Sequence, residues 1–175
     1  MNLKISTKNK SCNYWIWNGF KIAWFVENEK DKTPLLFLHG FGANSNHWRK
    51  NIKNFAKNGY TVYSMDLLGF GESDQPGIKE IGKLDNGIWC DQVTDFIIDI
   101  IRPINTNKIV IIGNSLGGLV ALTSAVYIPE EISGIIVSPL PDPIGLKINY
   151  SEDESKFKSN KYLSLIHISE PTRPY

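Results

Sequence analysis

A chain of 175 residues with 42% hydrophobic content is long enough to bury one sizeable core and fits a single domain. Lys and Arg number 19 against 18 Asp and Glu, a formal charge of +1 that argues against nucleic acid or an anionic membrane as the main partner. Cys12 and Cys90 are far apart and lack C-x-x-C spacing, the N-terminus has no apolar h-region, and no run reaches the roughly 18 apolar residues that span a bilayer, so a cytoplasmic protein with reduced thiols and no integral membrane segment is expected.

Residues 13–17 and 20–26 are aromatic and β-branched, and Asn18-Gly19 between them is a strong hairpin signal. Leu35-Leu-Phe-Leu38 reads as a buried strand running into His39-Gly-Phe-Gly42. Residues 44–58 have helical spacing, with Trp48, Ile52, Phe55 and Ala56 on one face and Gly59 as the stop. The next strand, 61–65, ends at Asp66 and a Gly-rich loop, 67–76. A second amphipathic helix is expected over 88–101, with Trp89, Val93, Phe96, Ile97 and Ile100 inward. Residues 108–113 form a strand, 115–127 a helix and 132–138 a further strand. Strand and helix alternate from the third strand onward, which calls for a mostly parallel sheet with helices on both faces and an antiparallel pair at its start. From residue 139 the chain becomes loop-like, and 151–161 is charged with little periodicity.

Gly113-Asn-Ser-Leu-Gly117 follows the G-x-S-x-G pattern between a strand and a helix, the context of a nucleophile elbow. That turn lifts Ser115 clear of the sheet as a candidate nucleophile. Acyl transfer builds negative charge on a carbonyl oxygen, and two backbone N–H groups are placed to receive it. One is that of Leu116, at a helix N-terminus; the other is that of Phe41, in the His-Gly-Phe-Gly loop. Phe41, Trp48 and Phe70 suit an apolar small-molecule substrate and equally suit a core, which leaves substrate size open. Other glycine readings fail: Asp74 stands where a dinucleotide fingerprint after Gly69 and Gly71 needs glycine, and no G-x-x-x-x-G-K-[ST] occurs. No His, Cys and carboxylate cluster has metal-ligand spacing, so neither cofactor nor metal is expected.

His39-Gly-Phe-Gly42, Asp66-Leu-Leu-Gly-Phe-Gly-Glu-Ser-Asp74 and Gly113-Asn-Ser-Leu-Gly-Gly118, in this order and spacing, resemble the α/β-hydrolase superfamily over residues 13–145. The Tyr14-Trp-Ile-Trp-Asn-Gly start and the elbow are similar to a narrower branch, the pheophytinase-like esterases. The resemblance implies an α/β fold, His39 as a structural brace rather than a base, and a Ser, acid, His order along the chain. It favours an ester hydrolase working through an acyl-enzyme on Ser115. C–C hydrolases, acyltransferases, haloperoxidases and a non-catalytic binding protein stay open as alternatives. Family members that open epoxides use an Asp nucleophile, and Ser115 argues against that chemistry.

The resemblance also implies that the catalytic base is missing. The His after Ser115, His167, comes too early for the family's pattern, and Asp142 is a candidate acid no better supported than a plain loop residue. Residues 163–173 resemble a translated transposon-type sequencing adapter. The expected organisation is an N-terminal tail (1–12), the N-terminal part only of an α/β-hydrolase domain (13–145), the start of a lid (146–162) and a non-native tail (163–175). Such a chain is expected to be inactive, and poorly soluble if strand 132–138 is left as an apolar edge.

Overall fold

The computed structural model describes residues 12–28, 32–81 and 86–138. Residues 1–11, Asp142, His167, the expected lid start at 146–162 and the tail at 163–175 lie outside the described residues. Strands β1 (Asn13–Trp17) and β2 (Phe20–Glu27) pair antiparallel through Asn18-Gly19. Both turn residues have positive φ, 48° and 84°, as a type I′ turn requires. The remaining strands are β3 (Pro34–Leu38), β4 (Thr61–Met65), β5 (Ile109–Asn114) and β6 (Ile132–Ser138). Helices α1 (Arg49–Lys57), α2 (Ile78–Ile81), α3 (Asn86–Phe96) and α4 (Leu116–Tyr127) alternate with them.

The sheet runs in the order β1-β2-β4-β3-β5-β6. Pairings β3–β4, β3–β5 and β5–β6 are parallel, and β2 joins β4 antiparallel. The chain passes from β3 to β4 on one side, then returns to β5 on the other side of β3. The crevice at the carboxyl ends of β3 and β5 is therefore the topological switch point, where ligands bind in open α/β sheets.

Period-two alternation sends side chains to two separate cores. Leu35, Phe37, Val62 and Ile112 pack with Trp48 and Ile52 of the α1 side. Leu36, Leu38, Tyr63, Met65, Ile109 and Ile111 pack with α3 and α4 on the opposite face. Trp48 is thus a core residue of the α1 face, its ring 5.2 Å from that of Phe37, and not part of a substrate site.

Three local features depart from simple periodicity. The stretch before α1 begins with a 3-10 turn, Ser45–Trp48, with Asn44 capping it through its side chain. The short α2 lies just beyond the Gly-rich loop, where the sequence suggested no element. After α3 the helix widens into a π-helical turn, Ile97–Ile101, closed by Arg102 N–H donating to the Ile97 carbonyl at 2.8 Å. One extra residue in the turn shifts the inward position, so Ile101 is buried and Ile100 only half-buried. Among the described residues no helix is long and apolar enough to cross a membrane.

Gly59 ends α1 at φ 90°, and the Gly59 and Tyr60 N–H groups donate back to the Ala56 and Phe55 carbonyls, a Schellman motif. The Phe55 and Tyr60 rings meet across it at 5.8 Å. Gly59→Ala puts a Cβ into the left-handed region and against Lys32 Nζ, 2.7 Å away. It is expected to cost about 1–2 kcal/mol, read as a lowered urea midpoint.

Candidate active site

Three loops meet at the carboxyl edge of the sheet, after β3, β4 and β5. The elbow between β5 and α4 holds Ser115 at φ 51° and ψ −114°, an unfavourable conformation for a residue with a Cβ. Hydrogen bonds hold it there. Ser115 N–H donates to the Ser138 carbonyl at the end of β6 at 2.9 Å, and the Ser115 carbonyl accepts from Gly118 and Leu119 N–H. Asn114 Nδ2 donates to the same Ser138 carbonyl at 3.2 Å.

The elbow also needs close backbone contact. A Cβ on Gly113 would overlap the Gly117 carbonyl and lie 2.5 Å from Gly118 N. A Cβ on Gly117 would overlap the Leu38 carbonyl oxygen and lie 2.6 Å from that of His39. A Cβ on Gly40 would sit 2.9 Å from Asn114 Oδ1 and 3.2 Å from Ser115 Cβ. These contacts bring the His39-Gly-Phe-Gly loop directly beside Ser115.

His39 is fully buried at the base of that loop. Leu67 N–H donates to its Nε2 at 3.0 Å, so the ring proton is on Nδ1, which faces the Gly40 carbonyl at 2.8 Å. Both ring nitrogens are therefore engaged, and His39 braces the loop as the resemblance implied. Burial lowers its pKa from the ordinary 6.5, only partly offset by the Gly40 carbonyl and the Asp66 carboxylate. The Gly40 carbonyl also accepts from Ala43 N–H at 3.1 Å, closing a turn whose third residue, Gly42, has φ 71°. Across a planar trans peptide the next N–H points opposite to the carbonyl. With the Gly40 carbonyl turned to His39, the Phe41 N–H points away from that ring. The Phe41 side chain is 75% exposed, edge-on to Phe70 at 5.3 Å, and Phe70 in turn lies 6.1 Å from Trp89.

The Asp66–Asp74 segment is a clip. Buried Asp66 accepts Ser45 N–H at 2.6 Å through Oδ1 and Glu72 N–H at 2.9 Å through Oδ2. Gly71 has φ 57°, and a Cβ there would strike the Asp66 carboxylate. Ser73 Oγ donates to the Asp66 carbonyl and accepts from Ala23 N–H, while Asp74 exchanges bonds with the Lys21 backbone. The β2–β4 ladder is thereby continued by a side chain where its strands part. Sequence reasoning found the loop but not this role, which requires contacts across about fifty residues of chain. His47 is exposed on the 3-10 turn with its ring against Trp48. Among the described residues, no group of three or more His, Cys, Asp or Glu is arranged to hold a metal.

Residues 33–152 match the family described as alpha/beta hydrolase fold. The chain is 37% identical over 126 residues to Epoxide hydrolase 4 of Mus musculus, covering 72% of this chain and 33% of that protein. It is 32% identical over 123 residues to 1-acylglycerol-3-phosphate O-acyltransferase ABHD5 of Homo sapiens, covering 69% and 34%. The crystal structure of a membrane phospholipase A, a bacterial virulence factor, superposes with a TM-score of 0.66 at 26% identity, covering 75% of this chain and 40% of that one. The chain spans about a third of the length of the curated relatives it matches.

Two outcomes follow from this geometry. Gly117→Ala is expected to destabilise the fold by about 3 kcal/mol or more, because backbone carbonyls cannot yield as a side chain can; chemical denaturation measures it. His39→Asn keeps a donor toward Gly40 but orphans the Leu67 N–H, at a cost of about 1–3 kcal/mol near neutral pH. Because the folded-state pKa of His39 is lowered, its contribution is complete above 6.5 and is lost as pH falls below that value. The stability gap between wild type and His39→Asn should therefore narrow on acidification, as followed by denaturation midpoints toward about pH 5.

Proposed function

The chain belongs to the alpha/beta hydrolase fold family, and on that premise we propose that it carries the nucleophile half of a serine hydrolase acting on an ester with an apolar part. The observation behind this reading is the strained Ser115 at the β5–α4 junction, packed against the Gly40-Phe41 turn. Ser115 Oγ attacks the ester carbonyl carbon while a general base, which must come from outside the described residues, takes its proton, and the carbonyl π pair moves onto oxygen. The N–H groups of Phe41 and Leu116 receive that oxyanion, the second from a helix N-terminus whose first amides lack intrahelical acceptors. Collapse breaks the C–O bond as that base returns its proton to the departing alcohol, leaving an acyl-enzyme. Water, deprotonated by the same base, then attacks the acyl carbon, and the proton goes back to Ser115 Oγ as the acid leaves. The exposed Phe41 ring, backed by Phe70, gives an apolar group something to cover.

Ser115 also bears on the epoxide hydrolase relatives. A serine that opens an epoxide forms an ether, which has no carbonyl for water to attack, so the enzyme stays alkylated. Ester chemistry is free of that trap. The acyltransferase relative suggests a second reading in which an alcohol, rather than water, takes the acyl group from Ser115.

The base and acid are not found among the described residues: His39 has both nitrogens engaged, and His47 is exposed against Trp48 on the α1 side. Asp142 remains the proposed acid, outside the described residues. Because the resemblance puts the base after the acid in chain order and His167 comes early for that pattern, this chain alone is proposed to lack turnover. The test is p-nitrophenyl butyrate hydrolysis by this chain and by a version extended with the C-terminal part that its relatives carry. The extended protein should turn over, lose on the order of 10⁴–10⁶ in kcat with Ser115→Ala, and leave an aryl epoxide unhydrolysed. Ester turnover unaffected by Ser115→Ala, or steady epoxide hydrolysis, would sink the reading. Turnover by this chain alone, abolished by Ser115→Ala, would refute only its inactivity.

A further inference from the structure

The near-neutral total charge conceals a separation between the two faces of the sheet. From residue 32 to residue 65 the chain carries Lys32, Arg49, Lys50, Lys53 and Lys57, with no Asp or Glu. All five are exposed. At 100° per residue, Arg49, Lys50, Lys53 and Lys57 fall within about 100° of the α1 circumference. The remaining exposed positions of the helix and its cap are Asn51, Asn54 and Asn58. Lys32 Nζ adds a cation at the end of α1, beside Gly59. Glu27 lies toward the same end, because Asn28 Nδ2 bonds to the Ala56 and Tyr60 carbonyls, and it subtracts one charge.

On the opposite face α3 is acidic along its exposed side, and Arg102, which caps the π-helical turn, is paired with Glu131. Residues 86–101 carry Asp91, Asp95 and Asp99, all exposed, and no Lys or Arg. Asp95 accepts the Trp17 indole N–H at 2.8 Å, which fixes that carboxylate on its face. The two hydrophobic clusters place α1 and α3 on opposite sides of the sheet, so the sheet separates positive from negative charge.

We infer that the α1 face docks on an anionic lipid surface, with the α3 face turned to solvent. Cations on flexible stems suit a diffuse planar charge, each adding favourable energy within a Debye length of about 8 Å at physiological salt. None of the exposed α1 positions is aromatic, so the stacking platform that single-stranded nucleic acid needs is lacking on this helix. The α3 carboxylates are repelled by the same surface, which gives docking an orientation. Because the chain leaves β3 beside Ser115 and reaches the start of α1 through residues 39–48, the N-terminal end of α1 lies toward the carboxyl edge of the sheet. The inference stands apart from the ester reading, since it does not involve Ser115.

The test is co-sedimentation of the purified protein with phosphatidylcholine vesicles and with vesicles of equal parts phosphatidylcholine and phosphatidylglycerol. Binding is expected to the mixed vesicles only, and to be lost near 1 M salt, where the Debye length is about 3 Å. The Lys50→Gln, Lys53→Gln, Lys57→Gln triple variant should bind on the order of 100-fold more weakly. Asp91→Asn with Asp99→Asn should bind at least as tightly as wild type. A circular dichroism melt checks that each variant is folded; if the triple variant is not, Lys50→Gln with Lys53→Gln replaces it, with an expected loss on the order of 10-fold. Equal binding to both vesicle types, wild-type affinity in the folded Lys variant, or retention on single-stranded RNA without vesicle binding would overturn the inference.

Discussion

The carboxyl edge of the sheet depends on how closely the start of α4 approaches the end of β3. Gly117 lies against the Leu38 and His39 carbonyl oxygens, and Gly113 against Gly117 itself. No residue with a Cβ fits at either position without moving backbone. That proximity lets Ser115 occupy a left-handed turn and stand beside Gly40. The strain is met by the Ser138 carbonyl on one side and the first turn of α4 on the other. A conformation costing about 1–3 kcal/mol persists because neighbouring elements over-determine it.

Most of the polar groups near this edge are spent on holding loops. His39 joins the Gly40–Ala43 turn to Leu67, just past the end of β4, and Asp66 gathers the amides of the 3-10 turn and the Gly-rich loop. Ser73 and Asp74 stitch that loop to β2. Buried polar groups must be paired, and these are paired with backbone. A histidine two residues from a candidate oxyanion donor looks catalytic on paper, but its bonds leave it no lone pair for a substrate proton. What the described residues supply is a positioned serine and a shaped turn.

Relatives of this chain carry names that span epoxide hydrolysis and acyl transfer, so family membership alone does not fix the chemistry. Under the proposed function the residue at the elbow narrows it, because serine and carboxylate nucleophiles leave intermediates of different reactivity. Net charge was likewise a poor guide to the surface. A total of +1 sums charges along the whole chain and so does not register that α1 carries cations and α3 carboxylates on opposite faces of the sheet.

The sequence alone determined what depends on short-range sterics. Asn18-Gly19 dictated the hairpin, Gly59 the end of α1, and Gly113-Asn-Ser-Leu-Gly117 the elbow, because each needs a backbone conformation that few residues tolerate. Alternation and helical spacing located β1 to β6 and the longer helices for the same local reason. The π-helical turn that exchanged Ile101 for Ile100 was not legible, since its inward face is set by what packs against it. Trp48 showed the same limit: its helical spacing with Ile52 fitted a core face and its place near the loops fitted the site, and the sheet put it in the α1-side core. The tertiary structure decided the strand order, the engagement of both His39 nitrogens, the clip made by Ser73 and Asp74, and the opposite placement of α1 and α3. Each depends on groups tens of residues apart, as with His39 and Leu67, whose meeting is fixed by chain crossing rather than local preference.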